Sequence, residues 1–211
     1  MTLTLEHALE IIYSLSEVSK MPCYSYATSA LRCQRGSQLH KIPGSVCNKC
    51  YARRGNFRRP SIVEHLEGRA KAMLHPQWAE AMAVVLTAYE QSGYFRWFAS
   101  GDLQSLEDLL KICEVAKRTP HIKHWLSTHE IGILSAFKRA GYVYPSNLVV
   151  RLSADMIDKP PSAKLMASLG VLGAAVSKRA WTCEAERHNN MCMACRKCWN
   201  PRVPVVTYKY H

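Results

Sequence analysis

Cysteine placement constrains this chain more than any other feature of its sequence. Eight of the nine cysteines fall into two groups near the chain ends, and these are Cys23, Cys33, Cys47 and Cys50, then Cys183, Cys192, Cys195 and Cys198. Within each group some thiols recur at every third residue, a spacing that lets a short loop turn several sulfurs toward one metal ion or cluster. The sequence therefore predicts a metalloprotein whose Cys-rich N- and C-terminal segments bind metal.

The spacing favours an iron–sulfur cluster and leaves zinc as the alternative. Pairs of the form CxxC suit a four-cysteine zinc site, whereas the C-terminal run supplies three close thiols plus Cys183 and resembles ferredoxin spacing. The CxxxCxxC triad of radical S-adenosylmethionine enzymes does not occur in the sequence. We expect one or two [4Fe-4S] clusters, with all eight clustered cysteines as cofactor ligands. The set expected to bind the metal directly is Cys47, Cys50, Cys183, Cys192, Cys195 and Cys198.

Charge and hydropathy limit the classes of function. The chain has 211 residues and a formal net charge of +12, from 28 Lys plus Arg against 16 Asp plus Glu. Such a basic chain favours a polyanionic partner, either nucleic acid or a phosphorylated small molecule, with a merely solvated cationic surface as the alternative. No apolar run approaches the roughly 20 residues of a membrane span. Glu6 and Glu10 interrupt the N-terminal apolar residues, unlike a signal peptide, so we expect no membrane contact and a cytoplasmic protein with reduced thiols.

Hydrophobic periodicity predicts helices first, followed by alternating strands and helices. We expect an amphipathic helix over 5–19, mainly loop to about residue 60, and two helices at about 61–74 and 76–91. The later elements are strands over 94–100, 121–128, 147–154 and 171–177, helices over 105–118, 130–140 and 162–169 between them, and a further strand near Cys23.

This alternation predicts the α/β class, as a partial (βα) barrel or an open parallel sheet with right-handed crossovers. No repeat or linker divides the sequence, so we expect one domain over 1–211. Its predicted segments are an extra N-terminal helix in 1–20, a Cys/Arg-rich segment over 21–60, βα repeats over 94–180 and a Cys-rich C-terminal segment over 181–211.

Polar side chains collect where the predicted strands end, which is where parallel α/β folds bind ligands. The candidate catalytic residues are Asp102, His129, Glu130, Arg151 and Lys178. Structural roles compete, because Asp102 is a good helix cap, Glu130 suits a first helical turn and His129 could be a polar loop residue. Arg151 lies in an apolar strand and needs a partner, and we expect an anion clamp more than an ion pair. Lys178 could neutralise a cluster, hold a phosphate or face solvent.

Basic residues surround an aromatic side chain just after Cys50. The turn contains Phe57 with four arginines, which are Arg53, Arg54, Arg58 and Arg59. Basic side chains with an interleaved aromatic suit contacts to the nucleic-acid backbone together with base stacking. A solvated charged turn is the alternative.

Five stretches of the sequence together resemble the phage-encoded family called gene-product-88-like. They are GSVCNKCYARRGNF, FRWFASGDLQS, TPHIKHWLSTHE, NLVVRLSA and CMACRKCWNPRVPVVTYKYH. The resemblance runs from about Met21 to His211 and leaves the preceding helix outside it. The family motif carries over onto Cys47, Cys50, Tyr51, Gly101, Asp102, Trp125, Glu130, Arg151, Cys195, Cys198 and Trp199.

The resemblance implies an origin in a bacteriophage or prophage and a location in the cytoplasm of the infected bacterium. Members of the family mostly have no assigned function. They are distantly similar to other phage proteins with a CxxCYA motif and a radical-enzyme-like barrel, so the resemblance implies a fold and leaves the activity open.

Two functions follow as expectations. The first is an iron–sulfur protein whose strand-end residues line a pocket beside the cluster, with redox or radical modification of a nucleotide or nucleic acid as the natural enzyme class. The second is a non-catalytic protein in which iron–sulfur or zinc staples the chain ends and the arginine-rich turn binds nucleic acid or an acidic host protein. The sequence contains no acid–base or nucleophile pairing that would establish catalysis.

Overall fold

A mostly parallel sheet forms the centre of the computed structural model, which describes residues 3–210. Within these residues seven strands pair in the order in which they occur in the chain. They are β1 (Ser16–Glu17), β2 (Tyr24–Tyr26), β3 (Tyr94–Trp97), β4 (Lys123–Thr128), β5 (Leu148–Ser153), β6 (Leu172–Ser177) and β7 (Val205–Lys209). β1 is antiparallel to β2, and every later pair is parallel. The α/β class and the open parallel sheet are thereby confirmed.

Helices connect these strands and cover one face of the sheet. They are α1 (Leu5–Ile12), α2 (Gln34–His40), α3 (Pro60–Ala72), α4 (Trp78–Tyr89), α5 (Leu106–Arg118), α6 (Ile131–Arg139) and α7 (Ala163–Leu169). Because α5, α6 and α7 join successive parallel strands, right-handed crossovers put all three on the same face. Among residues 3–210, no helix is both long and apolar enough to cross a membrane.

The main core lies between the sheet and these helices. Side chains alternate along a strand, and Phe95 and Trp97 of β3 point into this core, where neither is exposed. Trp97 lies near Tyr26 of β2 and Trp78 of α4, with ring centroids 6.5 and 5.9 Å away. The intervening residue of β3, Arg96, therefore points to the opposite face, which the C-terminal segment covers.

Three sequence predictions need correction. The helix expected over 5–19 ends at Ile12, because Tyr13 adopts a φ of 72° and its ring packs against Gly68 of α3, and β1 follows. The stretch expected to be mainly loop contains α2 and the 3-10 helices Ala30–Arg32, Tyr51–Arg53 and Gly55–Arg58. The edge strand β7 was not predicted. Residues 1, 2 and 211, part of the predicted end segments, lie outside the described residues.

His124 of β4 is a buried, neutral histidine inside the main core. The Thr119 hydroxyl donates to the Val115 carbonyl at 2.8 Å, so the 2.8 Å contact between that hydroxyl and His124 Nε2 requires the ring to donate. Nδ1 is then an acceptor, and it has no partner among the described residues. A proton there would be a buried charge without an acceptor, and burial accordingly lowers the pKa of His124 to about 3.

We expect His124 to make the fold sensitive to mild acid. The unfolded histidine has a pKa of about 6.5, so below that pH only the unfolded state gains a proton at this residue. The stabilising contribution is complete above about pH 6.5 and is lost as the pH falls toward 3. Between pH 8 and pH 5 the loss is about 2 kcal/mol in the free energy of unfolding.

Urea unfolding at both pH values measures this loss. The variant His124→Phe keeps an aromatic ring but cannot titrate, and its free energy of unfolding should fall by about 2 kcal/mol less than that of the wild type. An equal fall in the two proteins would contradict a buried neutral histidine.

Candidate metal centre

Three cysteines meet at the carboxyl edge of the sheet, and we call Cys33, Cys47 and Cys50 the edge group. Cys33 directly precedes α2, and the Cys50 N–H donates to the Cys47 carbonyl at 3.2 Å, which closes a turn. The neighbouring Val46 N–H donates at 3.0 Å to the carbonyl of Asp155, two residues beyond the end of β5. This bond ties the cysteine turn to the strand ends, which is where parallel sheets bind ligands.

Gly36 in α2 lets the helix lie against these thiols. A Cβ at Gly36 would be 2.9 Å from the Cβ of Cys33 and 3.8 Å from the Sγ of Cys47, so no larger residue fits without displacing them. Burial raises the pKa of the Cys33 and Cys50 thiols, and the neighbouring thiols raise it further. The edge group is therefore a partly buried set in which Cys33 and Cys50 hold their protons unless a cation is present.

His129 lies between Cys47 and Asp155. Its Nε2 is 3.7 Å from Cys47 Sγ, and its Nδ1 is 3.5 Å from Asp155 Oδ1. Burial lowers the pKa of His129, but Asp155 and Cys47 outweigh that effect and raise it to about 10. His129 and the Arg35 guanidinium, 2.5 Å from Asp155 Oδ2, hold the pKa of Asp155 at about 2. In this form the imidazolium lies between a thiol and a carboxylate, with Nε2 in contact with Cys47 and with Nδ1 facing Asp155 without a hydrogen bond to it.

Asp102 holds the loop after β3 against the end of β4. Its carboxylate is buried and accepts from the Thr128 hydroxyl at 2.5 Å, from the His129 N–H at 2.9 Å and from the N–H of the following residue at 2.8 Å. Burial raises the pKa of Asp102, and these bonds oppose the rise. The carboxylate thus positions His129 and lies beside the edge group without capping α5, whose cap is Ser105.

Glu130 stabilises the start of a different helix from the one expected. Its Oε1 accepts from the Arg35 N–H at 2.9 Å, in the first turn of α2. A carboxylate at that place satisfies a free N–H and complements the helix dipole. Because Cys33 is the residue before α2, Glu130 helps to fix the position of one thiol of the edge group.

A second set of five cysteines covers the sheet face opposite the helices. We call it the face group, and its members are Cys23, Cys183, Cys192, Cys195 and Cys198. Cys23 was expected in the first group, but it precedes β2 and lies with Cys192, whose N–H donates to the Lys20 carbonyl at 2.9 Å. Burial raises the pKa of Cys23 to about 12, with Glu90 and Cys192 adding to the rise. Burial likewise raises the pKa of the Cys183, Cys192 and Cys198 thiols, and a neighbouring thiol adds to each rise.

Two buried donors without acceptors lie next to this group. Arg96 Nε and Trp125 Nε1 are buried and have no acceptor among residues 3–210, and the guanidinium carbon lies 4.7 Å from the centroid of the Trp125 ring. Burial raises the pKa of the Cys192 and Cys198 thiols, and Arg96 opposes that rise. Since unpaired buried donors are costly, this place is suited to an anion that accepts from both.

Arg151 binds the backbone of the C-terminal segment, so the prediction that it binds an anion is wrong. The guanidinium donates to five backbone carbonyls at 2.9–3.1 Å, which belong to Gly173, Lys197, Cys198, Asn200 and Val203. Its side chain is fully buried. All five N–H groups are in use, so none is left for an anion.

Lys178 belongs to neither cysteine group. It is exposed after β6, its N–H donates to Asp158 Oδ1 at 2.9 Å, and its ammonium lies 4.9 Å from the centroid of the Tyr210 ring. The structure therefore places four of the five candidate catalytic residues near a cysteine group and leaves Lys178 outside.

The cysteines are free thiols, but they do not already form a site for a single ion. All nine are unpaired. Across residues 3–210, no three side chains of His, Cys, Asp or Glu converge closely enough to hold one metal ion. Metal binding by the two groups therefore stays a prediction.

Sequence reasoning missed Arg96 and Gly36, and it noted Asp155 at the strand end without including it among the candidate catalytic residues. Arg96 alternates with Phe95 and Trp97 in an aromatic strand, and the argument that singled out Arg151 applied to it equally. Asp155 follows β5 at the carboxyl edge and was passed over in favour of its neighbours. Gly36 carried no local signal, because its close approach to Cys47 depends on the tertiary fold.

We expect Arg151→Met to destabilise the protein by more than about 3 kcal/mol. Methionine fills much of the space but leaves one buried and four part-buried carbonyls short of a donor. A buried group without its partner costs about 1–3 kcal/mol. Arg151→Lys should be intermediate, because lysine donates three bonds. The control Arg118→Met removes an exposed ion pair with Glu114 and should cost less than about 1 kcal/mol. Urea unfolding tests the series, and equal stability of Arg151→Met and the control would contradict this role.

Comparison with known proteins identifies the family. Neither the curated proteins nor the solved structures contain a significant match to this chain. A family model described as gene product 88 matches residues 8–201. The match begins within α1, so the expectation that the helix before Met21 lies outside the family pattern is wrong, and it ends before β7. Because it covers most of the chain, the protein belongs to the gene product 88 family.

Proposed function

We propose that this protein is an iron–sulfur protein in which the face group holds one [4Fe-4S] cluster and the edge group a second. The observation that carries the proposal is the pair of buried donors without acceptors, Arg96 Nε and Trp125 Nε1, in the part of the sheet face where Cys23, Cys192 and Cys198 lie. A four-thiolate [4Fe-4S]²⁺ site has a net charge of about −2 and sulfurs that accept hydrogen bonds. It would supply the missing acceptors and the counter-charge for Arg96.

The face group has more thiols than one cluster needs. We assign the four ligands to Cys183, Cys192, Cys195 and Cys198, and treat Cys23 as a packing residue in contact with Trp125 and Trp199. The cations Arg96, Arg196 and Lys197 act on these thiols. A site closed by four cysteines suits electron transfer or structural stapling.

The edge group differs from the face group because it has only three cysteines and lies at the carboxyl edge of the sheet. Three ligands leave one iron of a four-iron cluster without a cysteine, and α/β folds bind substrates at this edge. When bound, such a cluster supplies one-electron chemistry. His129 would donate to Cys47, and Asp102 would hold His129 in place. We infer redox modification of a nucleotide or nucleic acid, in the reducing cytoplasm of the infected bacterium, as the activity.

One observation favours a second candidate, a non-catalytic stapled protein. The Cys192 N–H bonds to Lys20 before β2, and the Cys183 N–H bonds to Thr207 of β7 at 3.0 Å. Metal at the face group would therefore fix a segment that these backbone bonds attach both to the residues before β2 and to β7. Zinc in this group alone would serve such a staple without redox activity.

Metal analysis of cysteine variants distinguishes the two candidates. Anaerobically purified protein should contain about eight iron and eight sulfide per chain, since each cluster has about four of each. The double variant Cys195→Ser, Cys198→Ser should lose about half of the iron. The double variant Cys47→Ser, Cys50→Ser should lose the other half. Cys113→Ala is the control, because Cys113 is buried in α5 away from both groups. Zinc without sulfide would favour the staple, and unchanged metal in both double variants would contradict metal binding by either group.

A pair of glycine variants tests the edge group without removing a thiol. Gly36→Ala places a methyl group 2.9 Å from Cys33 Cβ, whereas Gly132→Ala in α6 meets nothing within 4 Å. We expect Gly36→Ala to lose the iron of the edge group, about half of the total, and Gly132→Ala to retain all of it. Circular dichroism should find both variants folded. Equal iron in the two would show that α2 does not need to lie against the thiols.

A further inference from the structure

The turn between Cys47 and α3 forms an exposed basic surface beside the edge group. We define this basic turn by its exposed members, which are Lys49, Tyr51, Arg54, Arg58 and Arg59. The segment 49–59 contains five cations and no acidic residue. None of these cations forms an ion pair within residues 3–210, although six other Lys or Arg side chains there do. The basic turn is thus a concentration of uncompensated positive charge.

Arg53 and Phe57 build the turn and are not part of its surface. The Arg53 guanidinium donates to the Ala30 carbonyl at 2.9 Å and to the Ser37 hydroxyl, so it is committed to the fold. Phe57 is partly buried and meets the Tyr51 ring edge to face, with centroids 5.7 Å apart. The remaining arginines differ, because Arg54 has one long contact of 3.4 Å to the Asn48 carbonyl, and Arg58 and Arg59 make no side-chain hydrogen bond with the described residues.

Tyr51 is a large aromatic side chain that is both exposed and held in place. It is 59 % exposed, yet its hydroxyl donates to the Ala99 carbonyl just beyond β3, and Phe57 supports the ring from one side. An exposed side chain normally loses conformational entropy when it binds a ligand. Because Tyr51 is already anchored in the free protein, that loss is smaller. A fixed, solvent-facing ring among unpaired cations suits stacking by an unpaired base.

We propose that the basic turn binds single-stranded nucleic acid, with Arg54, Arg58 and Arg59 contacting phosphates and Tyr51 stacking on a base. Charge complementarity favours a polyanion, and the anchored ring favours bases that are not already stacked in a duplex. The Tyr51–Ala99 bond holds the turn at the carboxyl edge, next to Cys47 and Cys50. The bound strand would pass beside the edge group. The binding does not depend on the proposed clusters.

Fluorescence anisotropy measured between about 50 and 300 mM salt tests this proposal. The probe is a labelled 20-nucleotide single strand of mixed sequence, prepared both as DNA and as RNA. The triple variant Arg54→Gln, Arg58→Gln, Arg59→Gln should bind at least about tenfold more weakly than wild type at 100 mM salt. In a plot of log affinity against log salt concentration, the slope of the triple variant should be less steep than that of wild type by about 2. Each single-strand phosphate contact contributes about 0.7 to the steepness of this slope.

A matched triple variant controls for the loss of net charge. Lys138→Gln, Arg139→Gln, Lys164→Gln removes the same number of exposed cations from α6 and α7, and it should bind within about threefold of wild type. Tyr51→Ala should weaken binding about 5- to 150-fold, while Tyr51→Phe keeps the ring and should lose far less. Iron content measured on the same samples reports separately on the clusters.

Several results would overturn the proposal. No binding of the wild type at 50 mM salt would do so, as would equal weakening by the two triple variants. Tighter binding of the duplex of the same sequence would remove the role given to Tyr51. Loss of binding in the arginine variant with iron content unchanged supports the proposal, and so does retained binding in a cluster-free wild-type protein.

Discussion

The guanidinium of Arg151 fixes the turn that follows Arg196 against the sheet. It is buried at the centre of β5, and its five N–H groups satisfy carbonyls from the edge of β6 and from the turn that carries Cys198 and Trp199. Arginine can do this because its donors form a planar fork with five N–H groups, and no other side chain offers as many. Without it those carbonyls would lose their donors, and fewer contacts would hold the turn on the sheet, among them the bond from Trp199 Nε1 to the Phe95 carbonyl at 2.9 Å. The position of the face group therefore depends strongly on one strand residue that binds a backbone turn.

The edge group depends in the same way on contacts between distant residues. Glu130 accepts from Arg35, which fixes the start of α2, and Arg35 in turn binds Asp155, 120 residues further along the chain. The Val46–Asp155 backbone bond fixes the cysteine turn on the other side. His129 occupies the space between Cys47 and Asp155. Thus the strand-end polar residues serve first to assemble the thiols, and any chemistry at this edge uses a site that they have already organised.

These dependences explain how much could be predicted from the sequence. The βα alternation from 94 to 177 was predictable, because turn residues bound each strand, each helix has an apolar period, and Ser105 and Ser162 cap α5 and α7. The end of α1 was not, since Tyr13 leaves the helix to pack on Gly68, which lies in α3. Cys23 was assigned to the wrong group for a similar reason: sequence spacing placed it with Cys33, whereas the parallel sheet places the start of β2 beside Cys192.

Polar residues were harder to assign than elements because the type of a side chain does not reveal its partner. Arg151 was correctly expected to need a partner. The sequence does not distinguish a backbone turn from a bound anion as that partner, because both accept hydrogen bonds. Glu130 was expected to act on its own helix and acts on α2. Arg96 follows the same logic as Arg151 and was overlooked, although its alternation with two buried aromatics was visible. In each case the missing information was which segment folds over the sheet.

The two cysteine groups lie among charges of both signs, so their position on the sheet separates them better than their charge does. At the face group, Glu90 adds to the effect of burial on the pKa of Cys23, whereas Arg96 and Arg196 oppose it. At the edge group, Asp102 adds to the effect of burial on the pKa of Cys33, and Arg53 opposes it. The potential of a cluster depends on net charge, on hydrogen bonds to sulfur and on solvent exposure, and the first of these is mixed at both places. The C-terminal segment covers the face group, whereas the edge group lies at the strand ends, where parallel sheets bind ligands. A substrate would therefore reach a cluster at the edge group more directly than one at the face group.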